Sequence, residues 1–373
     1  MLRGLEDASL LGRDAHGRYS MHDLIRRYAT DTAHHQLPDD LRHAALHRVV
    51  DFYLHTAHTA DRLLNPHRAT IHLDPEAPGC HQHPLHDDAA ALAWLDAEYT
   101  CLLASHHVAS THRWDKAVWQ LAWALHTFHQ RRGHLRNYLA TWQAALVATD
   151  RLNDPIARIH SQWHLGVAYA EMGRHDEATD HLNRALALAE HIEDRPKQVH
   201  TYNALAWASG KSGDDRRALR YAAHALTICR TLDDPLQEAT ALNAMGWSSA
   251  RLGDYEQARE HCQAALALQR LHHHLDGEGA TLDSLGYIAY HAGCHQEAVQ
   301  HYLHALALFR AVGDTYATAD SLDRLGHPHV ALGELEQARA VWREALKLYQ
   351  SQQRQDADRV QQQLDVFGDS AQD

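Results

Sequence analysis

Histidine is the residue best placed to do chemistry in this chain, with 36 copies against 35 lysines and arginines combined. The densest group is Cys80-His81-Gln82-His83-Pro84-Leu85-His86, a thiol and three imidazoles around a proline, donors that suit zinc or copper. His43 and His47, and His160 and His164, stand four apart, which puts each pair on one helix face where both rings could chelate. A further tract runs His272-His273-His274. The competing reading is that histidine fills exposed positions open to Gln or Arg. Its even spread favours that reading, so no metal site is assigned. Catalysis has less behind it. No Ser-His-Asp or Cys-His arrangement carries a local signature, and His175 and His181 do not form His-Glu-x-x-His. The expectation is a protein that is not an enzyme and uses no cofactor.

Phosphate chemistry is equally thin. Gly210-Lys211-Ser212 ends like a phosphate-cradling loop, but Leu205 stands where the leading Gly belongs. A different chemistry recurs every 40 residues: Trp163, Asn203, Asn243, Asp283 and Asp323 form one row. Four residues on stand Val167, Trp207, Trp247, Tyr287 and His327, one turn along the same helix face. An Asn amide both donates and accepts, which matches an extended peptide backbone whatever its side chains. Aromatic side chains beside it anchor apolar groups, and Asp283 and Asp323 favour a basic one. Trp163, Asn203, Trp207, Asn243, Trp247, Asp283, Tyr287 and Asp323 are therefore the expected partner-binding residues. The alternative is that Asn and Asp cap or solvate while the aromatics pack between elements.

The same 40-residue interval fixes the elements that carry these rows. Gly173, Gly213, Gly253, Gly293 and Gly333 form one column; Ala178, Ala218, Ala258, Ala298 and Ala338 a second. Ala185, Ala225, Ala265, Ala305 and Ala345 form a third, each followed by Leu. Gly166, Gly246, Gly286 and Gly326, with Ala206 in the remaining slot, form a fourth. Each unit reads as a helix A such as 160–172, a Gly that ends it, and a helix B over about 176–191. The small residues mark where two antiparallel helices approach closely. Asp154-Pro155 and Asp234-Pro235 make good helix starts, Asp as N-cap and Pro at the first helical position. Pro328 falls inside helix A of the fifth unit, which should kink or start late. Stacked helix pairs of this kind present interaction surfaces.

Leu165, Gly166, Tyr169, Ala178, Leu182 and Ala185 resemble the tetratricopeptide pattern, though the initial Trp is missing and the period is 40 rather than 34. The extra six residues are expected to lengthen helix B and its turn. The resemblance implies an all-α, right-handed superhelix of helix pairs, with helix A lining a concave groove that receives a protein or peptide. Five repeats occupy 156–355, preceded by a degenerate unit at 116–155 and followed by a capping helix and tail at 356–373. Gly133, Ala145 and Leu146 keep the phase in the degenerate unit, where His126 replaces the first-helix glycine.

Residues 1–37 resemble the end of the winged-helix domain of NB-ARC-type STAND NTPases, through Gly17-Arg18-Tyr19-Ser20 and an intact Met21-His22-Asp23 motif. Ala91 to Leu103, within a helical linker at 38–115, is similar to the segment joining NTPase and repeats in actinobacterial regulators of the SARP type. The resemblance implies that Met21, His22 and Asp23 sense nucleotide only when an NTPase domain, in cis or in trans, completes the site. It also implies the C-terminal part of a transcriptional regulator whose repeats act as sensor or scaffold. The alternatives are a stand-alone tetratricopeptide adaptor and, further off, a His-rich metal-binding protein.

Composition points the same way. A formal net charge of −13 and the lack of basic clusters argue against a direct nucleic-acid surface. The five cysteines show no disulfide or zinc-ribbon spacing. No apolar run approaches 18 residues and the N-terminus lacks a signal-peptide stretch, so no membrane partner and a cytoplasmic location are expected.

Overall fold

Helix ends decide this architecture. Asp154 accepts hydrogen bonds from the Ile156 and Ala157 amides, with Pro155 at the first helical position. Asp234 accepts from Gln237 N ahead of Pro235 in the same way. Asp194, Asp214, Asp254 and Asp314 cap four more helices, each through a backbone amide three residues on. A buried helix start leaves amides without partners, and Asp side chains supply them. At the other end Gly173, Gly213, Gly253, Gly293 and Gly333 all take positive φ, between 72° and 90°.

The computed structural model describes residues 2–13 and 19–369. Arg18, placed by the sequence in the wing, lies outside them. A short helix α1 (Leu2–Asp7) leads into a two-residue antiparallel pair, β1 (Gly12–Arg13) with β2 (Tyr19–Ser20), and then α2 (Asp23–Gln36). Two long helices follow, α3 (Asp39–Leu64) and α4 (Asp88–Thr111). Next come α5 (Asp115–Ala124), α6 (His126–Arg132) and α7 (Leu135–Leu152). Here the chain breaks helix A in two at Leu125. Five helix pairs then stack in order: α8 (Pro155–Glu171) with α9 (His175–His191), α10 (Arg195–Lys211) with α11 (Asp215–Leu232), α12 (Pro235–Arg251) with α13 (Tyr255–Leu271), α14 (Leu275–His291) with α15 (His295–Ala311), and α16 (Thr315–Ala331) with α17 (Leu335–Ser351). The last element, α18 (Asp356–Asp369), lays Leu364 and Phe367 on the final repeat.

Two expectations need correction. The added length is not confined to helix B, since helix A and helix B run 17 residues each in four of the five repeats. Nor does α16 start late: it begins at Thr315, in phase with its siblings, and continues past Pro328 to Ala331. Pro328 lies in the last turn, where its missing N–H removes one helix bond and its ring crowds the Arg324 carbonyl.

Close approach explains the Gly column at 166, 246, 286 and 326. A β-carbon at Gly166 would sit 2.5 Å from Leu182 Cγ, and one at Gly286 2.9 Å from the Tyr302 ring. At Gly246 it would overlap Cys262 Sγ, and at Gly326 the Trp342 indole. The opposing column in helix B is therefore Leu182, Cys262, Tyr302 and Trp342, and by the same register Ala222 faces Ala206. The one repeat with Ala instead of Gly on helix A has the smallest partner on helix B. Glycine on helix A leaves room for a facing side chain from Cys to Trp, while Ala206 is matched with Ala222.

Candidate partner-binding groove

Helix A of each repeat carries the two rows singled out above, and packing treats them differently. The Asn and Asp row lies deep. Asn203 is 7% exposed, and its amide nitrogen donates to Gln237 Oε1 at 3.0 Å on the next helix A, while its Oδ1 has no hydrogen-bond partner. Asn243 is half-buried and accepts from the Cys262 thiol at 3.6 Å. Asp283 accepts from Ser321 Oγ and Arg324 Nη1, both at 2.6 Å. Asp323 binds the Arg359 guanidinium and lies 3.5 Å from the Tyr349 hydroxyl. Asn203 and Asp283 tie one repeat to the next, Asn243 binds within its own repeat, and Asp323 binds the last helix α18; the basic groups beside Asp283 and Asp323 come from the chain itself. Burial pulls Arg324 down, but Asp283 and Asp320 outweigh it and hold the guanidinium above its ordinary value. A buried charge persists only when paired in this way.

The aromatic row stays half-open. Trp207, Trp247 and Tyr287 are each partly buried, with Lys211 Nζ 5.3 Å from the Trp207 ring centroid. Trp247 and Tyr287 lie 4.6 Å apart between centroids, and Arg324 approaches Trp247 at 5.6 Å. Trp163 departs from the pattern: its indole N–H donates to His200 O at 3.1 Å, and its ring packs into the core of the first repeats. Val167 is buried. The open stretch thus runs through Trp207, Trp247 and Tyr287, with the unpartnered Asn203 Oδ1 buried beneath it.

The remaining candidates lie apart from this groove. Met21, His22 and Asp23 are exposed, and His22 serves as N-cap of α2, its Nδ1 accepting from Leu24 N at 3.4 Å. Cys80 is buried and its thiol donates to Arg48 O at 3.6 Å, while His81 and His86 are exposed and His83 stacks on Trp94. His43 Nε2 takes the Trp114 indole N–H at 3.2 Å, and His164 Nδ1 meets the Tyr138 hydroxyl at 2.8 Å. Among the described residues no three His, Cys, Asp or Glu side chains gather as a metal ligand set. No helix of the described residues is long and apolar enough to cross a membrane. Sequence reasoning missed the partners Gln237, Arg324 and Arg359, since none of them belongs to a repeating column.

Comparison with known proteins agrees with this geometry. Family profiles described as tetratricopeptide repeat match residues 156–231, 277–351 and 239–272. The regulatory protein AfsR of Streptomyces coelicolor is 35% identical over 196 residues, which is 51% of this chain and 19% of that protein. AfsR of Streptomyces griseus is 31% identical over 191 residues, 50% of this chain and 19% of that protein. The match thus spans about a fifth of the curated relatives' length. The crystal structure of a Rap protein complexed with Competence and Sporulation Factor superposes with a TM-score of 0.52 at 14% identity, over 86% of this chain and 98% of that one, a likeness of fold. The chain thus carries tetratricopeptide repeats within residues 156–351 and is similar over half its length to the AfsR regulators.

Proposed function

We propose that this chain is the non-enzymatic sensor region of an AfsR-type regulator, and that helix A of its second to fourth repeats binds a peptide or a segment of a partner protein. The observation that carries the reading is the half-open aromatic row Trp207, Trp247 and Tyr287, which recurs once per repeat while the polar row beneath it is tied up internally. Half-exposed Trp and Tyr in line act as anchors for apolar side chains. Lys211 and Arg324 face the rings from the rim. Trp163, Asn243, Asp283 and Asp323 complete the groove as its floor. An NTPase domain, joined to the chain or separate, is the proposed reader of the bound state, with Met21, His22 and Asp23 toward its nucleotide. A cytoplasmic location follows from this role.

Tryptophan changes test the reading more cleanly than asparagine ones, because Asn203→Ala also breaks the bond to Gln237. A random peptide library displayed on phage, panned on the whole chain, supplies the probe. The Trp207→Ala/Trp247→Ala variant should bind a selected peptide at least about tenfold more weakly, the loss expected of anchor residues, with helicity unchanged. Equal binding by the variant, or a library that yields no peptide, counts against the groove.

A further inference from the structure

The two ends of the array touch. Arg131, at the end of α6, donates to Val312 O at 2.8 Å and to the Asp276 carboxylate at 3.0 and 3.1 Å, while also holding Leu64 O at 2.8 Å. Arg132 donates to Gly313 O at 3.1 Å, and Thr315 Oγ1 returns a bond to Arg131 O at 3.0 Å. Tyr316 donates its hydroxyl to Glu171 Oε2 at 2.6 Å. These contacts join residues 145 to 184 positions apart, so they close the curl of helix pairs into a ring.

The seam is built unlike the joints between successive repeats. Successive repeats are held by apolar clusters, but none of the described clusters draws residues from both sides of the seam. Hydrogen bonds from guanidinium and hydroxyl groups do the joining, and water replaces such bonds at small net loss. An interface of this kind opens before apolar ones do.

Two glycines are specific to it. The turns between repeats place a left-handed residue at 153, 193, 233, 273, 313 and 353, namely Asn153, Glu193, Asp233, His273, Gly313 and Gln353. Backbone geometry alone does not require glycine in this column, since five of the six are not glycine. At Gly313 an added β-carbon would meet the far end of the ring, 2.5 Å from Leu92 Cδ2. Gly133 shows the same from the other side. An added β-carbon there lies 3.0 Å from both Gln352 Cδ and Tyr316 Cδ2, whereas at Gly173, Gly213, Gly253, Gly293 and Gly333 it meets nothing within 4 Å.

We propose that the α6 seam is a releasable clasp that holds the repeat array in a closed form, and that the array opens there and not between repeats. This goes beyond the peptide-binding reading and does not depend on it. A cavity of about 900 Å³ beside the seam takes its walls from both ends, Gly133 to Asn137 and Ala170 to Gly173 on one side, Tyr316 and Ser351 to Asp356 on the other. Opening the clasp takes that cavity apart, so closed and open forms present different surfaces.

Small-angle X-ray scattering of the whole chain reads the two forms. Gly313→Asn adds a wedge in a residue type that tolerates left-handed backbone, and Arg131→Met removes three of the closing bonds. Both should raise the radius of gyration and the maximum dimension while circular dichroism shows unchanged helicity. Asp276→Asn, at the partly exposed first turn of α14, should give a smaller rise and keeps the test open if either of the others fails to fold. Asp233→Asn, in the same turn column away from the seam, should scatter as the unaltered protein does. Unaltered scattering from every seam variant that folds, or an equal expansion in Asp233→Asn, overturns the clasp.

Discussion

Tyr138 holds the centre of a chain of buried histidines. Its hydroxyl lies 3.0 Å from His126 Nδ1 and 2.8 Å from His164 Nδ1, with His164 stacked on Trp142 at 3.9 Å. Arg68 lies over the Trp123 ring at 3.7 Å and pairs with Asp61 at 2.8 Å, so a fixed positive charge borders the group. Burial first, then Arg68 and neighbouring rings, holds His126, His160 and His164 well below the ordinary histidine range, with Lys197 also acting on His160. His129 is lowered by burial as well, and His106 is lowered to about 4. These rings stay neutral in the folded chain while the unfolded chain protonates them near pH 6.5. Stability is therefore complete above about pH 6.5 and falls as pH drops toward 4, by up to about 1.4 kcal/mol per pH unit for each histidine kept neutral. Asp314 opposes this: burial raises it to about 7, so it gains stability on protonation, but it is one group against five. Urea midpoints at pH 7.5 and pH 5.5 check the sign, and the expected result is a clearly lower midpoint at 5.5. The abundance of histidine was plain in the sequence. Its burial was not, because His126 and His164 sit at positions that differ from repeat to repeat.

Helix pairs are the scale at which the sequence spoke most clearly. A 40-residue phase located ten repeat helices, their glycine turns and their Asp-Pro starts, because each reflects a local rule that recurs. What the phase alone left out is the compensation between columns, visible once Cys262 is seen against Gly246 and Trp342 against Gly326. Gly246→Ala should destabilise by about 2 kcal/mol, as overpacking of a tight contact does. Adding Cys262→Ala recreates the Ala206 and Ala222 pairing native to the second repeat and should recover much of the loss. A double-mutant cycle by urea denaturation measures this coupling, and strictly additive effects would refute the paired-column account. Gly253 behaves differently. Its φ of 90° with open space around it makes strain, not crowding, the penalty for a side chain there. Crowding is instead the penalty at Gly246.

At the scale of the whole molecule, the repeats curl until α6 meets α16, and no periodic signal announces that meeting. Arg131 and Val312 lie 181 residues apart on elements of different kinds, so only the accumulated curvature of the array brings them together. Of the proposed groove, spacing alone marks the aromatic row, whereas the internal partners of Asp283 and Asp323 sit on neighbouring helices outside any shared column. The central claim, that a partner lies along helix A of the middle repeats, is tested most directly by hydrogen–deuterium exchange with and without a peptide selected from the phage library. The account predicts slowed exchange in α10, α12 and α14 around residues 203–207, 243–247 and 283–287. Protection confined to α11, α13 and α15, or to the long helices α3 and α4, would contradict it.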